Sequence, residues 1–322
     1  MTLIREKFQD FNVYQLEGAS SFVYFDVADN KKFIRGLVDY LFSEQNLLGY
    51  ANSLTPIPFE KGTKYYNKLV KELELFLNSE LETLIYEPLT DEVRNALGEE
   101  YSLRTTDGKI AIQKEKIGKI GEYAFHVLLT QYFQLDCIIP KFRLLTDRNM
   151  SAFGIDALFY NQKTRTLYFG ESKVCGKLTN AICLANKSLA DYSQQIKEEY
   201  KLILSSDHLR LSESFTTDFQ NPIEECLEFD EFIQEVGLAN ICIPIFLAHG
   251  QQELGEEDIT KILKCMKEKI TQKGLFKIET QYLLISLPII DKHQMVETAM
   301  KKILELKDVY DEKLKAAKNS KL

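Results

Sequence analysis

The chain lacks the residue patterns that mark most other chemistries. Its four histidines are scattered, and its six cysteines (Cys137, Cys175, Cys183, Cys226, Cys242 and Cys265) include no CxxC pair. Zinc-ligand spacing is therefore absent and no histidine-centred triad suggests itself. The cysteines read as reduced, small buried residues of a cytoplasmic protein. Gly118-Lys119 has neither the upstream glycine nor the following Ser or Thr of a P-loop, no GxGxxG follows a strand pattern, and no GxSxG elbow occurs. No ATPase, dinucleotide-binding or α/β-hydrolase site is therefore expected in this chain. No stretch approaches the ~20 apolar residues of a membrane span, and Met1-Thr2-Leu3-Ile4-Arg5-Glu6-Lys7 lacks the apolar run of a signal peptide. Excess positive charge is missing too. The net charge is −8, which argues against a passive nucleic-acid coat protein.

What is there is a globular composition, 45% hydrophobic over 322 residues, enough chain for one or two domains. Its charge is unevenly spread. Residues 109–201 carry 14 Lys and Arg against 9 Asp and Glu, a balance of +5 that leaves −13 for the rest. Lys141, Arg143, Arg148, Lys177 and Lys187 are candidates for non-specific, salt-sensitive phosphate contacts; the alternative for each is a solvated surface charge. Residues 212–236 run the other way. Eight acids (Glu213 and Asp218 through Glu235) stand there with no Lys or Arg, interspersed with apolar residues at the spacing of an amphipathic helix. The segment reads either as an acidic solvent face or as an element that docks a partner or excludes DNA.

The segment with chemical content lies in the basic stretch. Gly154-Ile155-Asp156-Ala157-Leu158-Phe159-Tyr160 and Leu167-Tyr168-Phe169-Gly170-Glu171-Ser172-Lys173 read as two strands joined by the polar turn Asn161–Thr166. Pairing Asn161 with Thr166 leaves a four-residue loop and sets Asp156 opposite Glu171. Alternation places Leu167, Phe169, Glu171 and Lys173 on one face. Two carboxylates opposite one another repel, and a divalent cation between them turns repulsion into binding. An ammonium two residues along the same face suits metal-assisted phosphodiester hydrolysis. A D…ExK string also arises by chance. Against chance stands the apolar character of both strand faces, because charged groups are rarely buried unless paired or metal-bound.

Upstream, Lys114 to Phe133 has a helical pattern in which Glu122 is followed at helical spacing by Phe125, Leu129 and Tyr132. Glu122 therefore belongs to an apolar face and reads as a third carboxylate aimed at the hairpin; the alternative is a glutamate that is capped or salt-bridged. Gly118 and Gly121 weaken the helix by about 1 kcal/mol each, which points to a close approach to its backbone. Magnesium, or manganese in its place, is the expected cofactor. Asp156, Glu171, the backbone carbonyl of Ser172 and Glu122 are the expected ligands. Lys173 would orient the attacking water or stabilise developing negative charge.

The order helix with Glu122, strand with Asp156, strand with Glu171-Ser172-Lys173, then a helix over Leu178–Leu204 resembles the PD-(D/E)xK (restriction-endonuclease-like) superfamily. That resemblance covers residues 110–250 and implies an αβββαβ core. Ile155 stands where the superfamily often has proline. More narrowly, Gly121-Glu122, Gly154-Ile155-Asp156-Ala157-Leu158 and Phe169-Gly170-Glu171-Ser172-Lys173-Val174 resemble the HamA family, nuclease subunits of bacterial Hachiman anti-phage systems, and the related AbpA proteins. The resemblance implies a DNA nuclease restrained by a helicase subunit (HamB-like) in a heterocomplex. It also suggests a supporting role for Gln194 or Gln195 on the following helix; the other reading of both is a solvated helix face. A non-catalytic scaffold that binds a helicase or DNA is the alternative to the enzyme.

The expected fold is α/β, a mixed sheet flanked by helices, preceded by an N-terminal α+β region over 1–105 for partner binding or DNA positioning; the nuclease domain spans 106–322. Asn12–Leu16 and Phe22–Val27 read as strands, Asn30–Gln45 and Tyr65–Asn78 as helices, and Thr105-Thr106-Asp107-Gly108 as the boundary. Further on, Ile241–Leu247 reads as a strand whose Pro244 suggests an edge or bulge. Glu256–Thr271 follows as a helix, Ile278–Leu287 as a buried strand and Lys292–Ala317 as a long helix.

Overall fold

The computed structural model describes residues 3–8, 11–16, 22–26, 30–52, 61–77, 84–87, 105–106, 109–139, 155–205, 213–238, 240–250, 256–288 and 292–320. Its strands are β1 (Leu3–Phe8), β2 (Phe11–Leu16), β3 (Phe22–Asp26), β4 (Leu84–Glu87), β5 (Thr105–Thr106), β6 (Lys109–Gln113), β7 (Asp136–Ile139), β8 (Ala157–Asn161), β9 (Thr166–Cys175), β10 (Asn240–His249) and β11 (Glu279–Pro288). Its helices are α1 (Asn30–Leu41), α2 (Glu44–Asn52), α3 (Thr63–Leu77), α4 (Lys114–Gln131), α5 (Leu178–Leu189), α6 (Tyr192–Ser205), α7 (Glu213–Glu225), α8 (Phe229–Val236), α9 (Glu256–Lys269) and α10 (Lys292–Asn319). Two compact units interleave along the chain. The first is Met1–Ala28 with Leu128–Ile290, the second Asp29–Val127 with Asp291–Leu322.

The first unit holds an eight-stranded mixed sheet in the order β1-β2-β3-β11-β10-β9-β8-β7. The strands from β3 to β9 across its centre run parallel, and the meander β7-β8-β9 and the strands β1-β2-β3 are antiparallel. A parallel neighbour requires a crossover, and helices supply it: α5 to α8 link β9 to β10, and α9 links β10 to β11. Their apolar residues lie at helical spacing, as with Ala181, Ile182, Ala185 and Leu189 of α5. They pack with Phe215, Phe229, Phe232 and Leu263 on the sheet residues Leu158, Leu167, Phe169, Ile243, Ile245 and Leu247. The α/β class with a mixed sheet flanked by helices is therefore the observed one. At the end of α8, Gly237 takes φ 61°, a left-handed position that favours glycine, and its N–H reaches the carbonyls of Ile233 and Gln234.

The second unit contains α1, α2, α3, most of α4, the small antiparallel sheet β4-β6-β5 and α10. Here α10 packs along α3, and Thr63 Oγ1 donates to Ala317 O at 3.3 Å. The Tyr123 hydroxyl donates to the carbonyl of Leu41.

Four expectations change. The helix expected over Asn30–Gln45 breaks at Phe42–Ser43, because the Ser43 hydroxyl accepts the Asn46 N–H at 3.3 Å and caps a new helix. The helix expected over Leu178–Leu204 is two, broken at Ala190–Asp191 and restarted by the Asp191 carbonyl, which accepts from Gln194 and Gln195. The acidic segment is likewise two helices, α7 and α8, separated at Cys226–Glu228. Pro244 marks neither edge nor bulge. Strand β10 is interior, and its ladder to β9 skips Ile243–Pro244 without a shift of register, since proline has no N–H to give. Among the described residues no helix is long and apolar enough to cross a membrane.

Candidate metal centre

The turn Gln162–Arg165 closes the β8–β9 hairpin. Asn161 Oδ1 accepts the N–H groups of Lys163 (3.0 Å) and Thr164 (3.3 Å), and Arg165 takes a positive φ of 50°. The register that follows pairs Asn161 with Thr166 and Ala157 with Gly170. Asp156 lies one residue beyond the last ladder pair. Its N–H donates to the Gly170 carbonyl at 2.8 Å, and its Oδ2 accepts the Ser172 N–H at 2.7 Å. The Asp156 main chain and carboxylate thus bracket Glu171 through the backbone on either side of it.

Glu171 is buried (1% exposed) although it carries a carboxylate. Ile245 of β10 is its neighbour on one side. Its Oε1 contacts the Nζ of Lys173, the next residue on the same face, and its Oε2 is buried without a hydrogen-bond donor. Burial first, and the Asp156 charge second, push the Glu171 carboxyl up from 4.5 to about 7; Lys173 and the Ser188 hydroxyl pull it back without winning. A shift of that size corresponds to about 3 kcal/mol against the charged form. The site therefore has an excess of buried negative potential and an oxygen with no donor. Carboxylate oxygens suit a hard divalent cation, so the donor chemistry fits magnesium or manganese at this place. The described carboxylates here are the pair Asp156 and Glu171, and no group of three or more His, Cys, Asp or Glu side chains among the described residues is placed to hold a metal. Glu122 lies on α4 in the second unit, half-buried among the buried Tyr123, Phe125 and His126.

The remaining candidates separate. Lys141, Arg143 and Arg148 lie outside the described residues. Lys177 is exposed at the start of α5, and Lys187 is exposed in its last turn. The two stand roughly 15 Å apart along the helix and do not form one cluster. Gln194 points outward and donates to Glu198 at 3.0 Å. Gln195 turns inward: its Nε2 reaches the Ser188 carbonyl at 3.5 Å, and its Oε1 is buried without a donor. In the acidic segment, Asp218 accepts from the Tyr160 hydroxyl at 2.5 Å, Asp230 pairs with Lys197, and Glu228 pairs with Lys201 at 2.8 Å. Part of its charge is thus used within the chain.

Two residues at the site were not read from the sequence. The Ser188 hydroxyl favours the ionised form of Glu171. Tyr192, fully buried, donates to the Phe169 carbonyl at 3.0 Å, and Glu171 and Asp156 add to the burial that pushes its hydroxyl far up. The signal was a pair of polar groups four residues apart in sequence, in phase with the buried Ala181, Ala185 and Leu189 of α5 and Ile196 of α6.

Fold and site together define an α/β protein with a buried glutamate, a half-buried aspartate and a lysine on an antiparallel hairpin. The family model described as HamA matches residues 6–303, so the chain belongs to the HamA family. That family makes it a component of the Hachiman anti-phage defence system. No curated protein and no solved structure matches the chain.

Proposed function

We propose that this chain is the nuclease effector of its defence system, a metal-dependent enzyme that hydrolyses DNA phosphodiester bonds with little sequence specificity and is restrained by a helicase partner. The observation that carries the reading is Glu171, a buried carboxylate beside a second carboxylate, with one oxygen lacking any donor. A buried carboxylate beside a second carboxylate costs stability unless a cation or proton neutralises it. The succession of α4, the meander β7-β8-β9, helices and then β10 parallel to β9 supports the same reading, because it follows the αβββαβ order.

Asp156 and Glu171 would hold the cation, with the Ser172 carbonyl as a further ligand. A bound magnesium ion would supply Lewis-acid stabilisation of the phosphoryl oxygens and a more acidic water. Lys173, which contacts Glu171, would orient the attacking water or offset charge on the phosphate. The Ser172 N–H fixes the Asp156 carboxylate, and Ser188 beside Glu171 favours its ionised form. Both roles keep ligands charged and in place.

The contact between Lys173 and Glu171 also supports the alternative, a scaffold whose acid is neutralised by its own lysine. Cleavage separates the two. Plasmid, linear and single-stranded DNA are incubated with the chain and its helicase partner, with ATP and with magnesium or manganese. The nuclease reading expects metal-dependent cutting by wild type and none by Glu171→Ala; equal cutting by Glu171→Ala, or no cutting by the complete complex, favours the scaffold.

A further inference from the structure

The first unit has a second recess, on the sheet face opposite Glu171 and at the other end of the parallel strands. Glu171 and Lys173 share one face of β9, and Tyr168 projects from the opposite face near its start. Cys242 of β10 is the register partner of Tyr168, and Gln281 of β11 is the partner of Cys242. This row of three floors a cleft of about 490 Å³ whose walls include Glu6 and Gln15 of β1 and β2 and Tyr132 beyond α4. Its size falls within the about 300–1,000 Å³ typical of small-ligand sites.

The lining specifies the ligand by what it offers. It contains no Lys or Arg and one carboxylate, Glu6. An anion would meet repulsion with nothing to offset it, so phosphates and nucleotides are disfavoured. The polar groups are set in place. Gln15 Nε2 donates both to Glu6 Oε1 (2.8 Å) and to the Tyr132 hydroxyl (2.6 Å), and Gln281 Nε2 donates to Glu279 at 2.9 Å. With both Gln15 amide protons engaged, that side chain presents its carbonyl. The Glu6 carboxylate presents acceptors only. Tyr132 and the Phe133 ring beside it, edge-on at 4.8 Å, form an aromatic wall, and Tyr168 supplies aromatic surface from the floor. An acceptor-rich cleft with aromatic faces fits a planar, uncharged ring that carries N–H donors.

We propose that this cleft is a binding site for an amino-bearing nucleobase, taken as a nucleoside without phosphate, with the exocyclic amine directed to Glu6 and Gln15. The site is independent of the acid pair, and it stands whether or not the chain cleaves DNA.

Calorimetric titration of the full chain, without divalent metal or DNA, tests it. Adenosine, cytidine, uridine, ATP and arginine amide are compared as ligands. Adenosine or cytidine is expected to saturate one site with a Kd between about 10 µM and 1 mM. Uridine, which lacks the amine, and ATP, which carries the charge, should bind at least about tenfold more weakly. Gln15→Leu and Tyr168→Leu should each weaken the amino nucleoside at least about tenfold. Circular dichroism melts check that the variants fold; if Tyr168→Leu does not, Gln15→Leu decides, since Gln15 is half-buried. The proposal is overturned by any of three results: no saturable heat with either amino nucleoside up to about 5 mM, equal or tighter binding of uridine, ATP or arginine amide, or unchanged affinity in folded Gln15→Leu.

Discussion

The β8–β9 hairpin and the helices α7 and α8 both carry carboxylates, and they use them in opposite ways. On the helices, Glu225, Glu231 and Glu235 are exposed, and Glu228 and Asp230 pair with Lys201 and Lys197 at the surface. Such pairs contribute about 0–1 kcal/mol each. On the hairpin, two carboxylates suffice to push one of them up to about 7, because Glu171 is buried and Asp156 is clamped next to it by the Ser172 N–H. The number of acids along a stretch of chain is therefore a poor guide to chemistry. The acid-rich segment is the one with the ordinary electrostatics, and the acid-poor hairpin is the one whose carboxylate is shifted by burial.

The contrast predicts effects of very different size. The largest concerns cleavage. Asp156→Ala, Glu171→Ala and Lys173→Ala should each lower the DNA cleavage rate of the complete complex by at least about a thousandfold, the scale of losing a principal charge-stabilising group. Glu231→Gln and Glu235→Gln should leave it within about twofold of wild type. Initial rates on supercoiled plasmid measure both sets, and a large loss in the helix variants would remove the distinction.

Next comes stability without metal. Glu171→Gln removes the buried charge, and by chemical denaturation at pH 8 with a chelator it should be more stable than wild type by up to about 3 kcal/mol. Glu231→Gln should change stability by less than about 0.5 kcal/mol. A destabilised Glu171→Gln protein would mean that the pair with Lys173 outweighs burial.

The pH dependence carries the same sign. The Glu171 carboxyl is raised in the fold, so the folded state holds its proton more tightly than the unfolded chain. Its relative stabilisation is complete below about 4.5 and is lost as pH rises through about 7. His249 has the opposite slope. Burial lowers its imidazole to about 4, and the stability it contributes is lost as pH falls below 6.5. Subtracting the Glu171→Gln profile from the wild-type profile cancels the histidine contribution. The remaining difference should fall between pH 4.5 and 7, and a flat difference would contradict the burial argument. The smallest effect is at the surface: Asp230→Asn and Glu228→Gln should each cost less than about 1 kcal/mol, and the cost should shrink in high salt.

The hairpin register was legible because three local signals agreed: a polar turn, strand alternation and a four-residue loop. The observed pairs Ala157–Gly170 and Asn161–Thr166 follow from them. The core of the α/β sheet was legible for the same reason, as β10, α9, β11 and α10 each begin or end within a few residues of their sequence patterns. What was not legible depends on tertiary partners. Strand β1 is mostly exposed and shows little apolar alternation, so its place beside β2 comes from ladder hydrogen bonds rather than from pattern. The break at Ala190–Asp191 has no proline or glycine to announce it, and it seats Tyr192 under Phe169 and leaves Ser188 beside Glu171. Pro244 pointed to an edge, yet β10 is central, because two missing pairs to β9 are tolerated where β11 supplies a continuous ladder on the other side.

The central claim is that Asp156 and Glu171 form a cation site, and thermal unfolding at pH 8 with increasing magnesium or manganese tests it most directly. A ligand that binds only the folded state raises Tm with its concentration. Wild type should gain stability progressively with metal, and Asp156→Asn and Glu171→Gln, starting from their own metal-free values, should gain little. Equal metal-dependent gains in all three proteins, or none in wild type, would contradict the account.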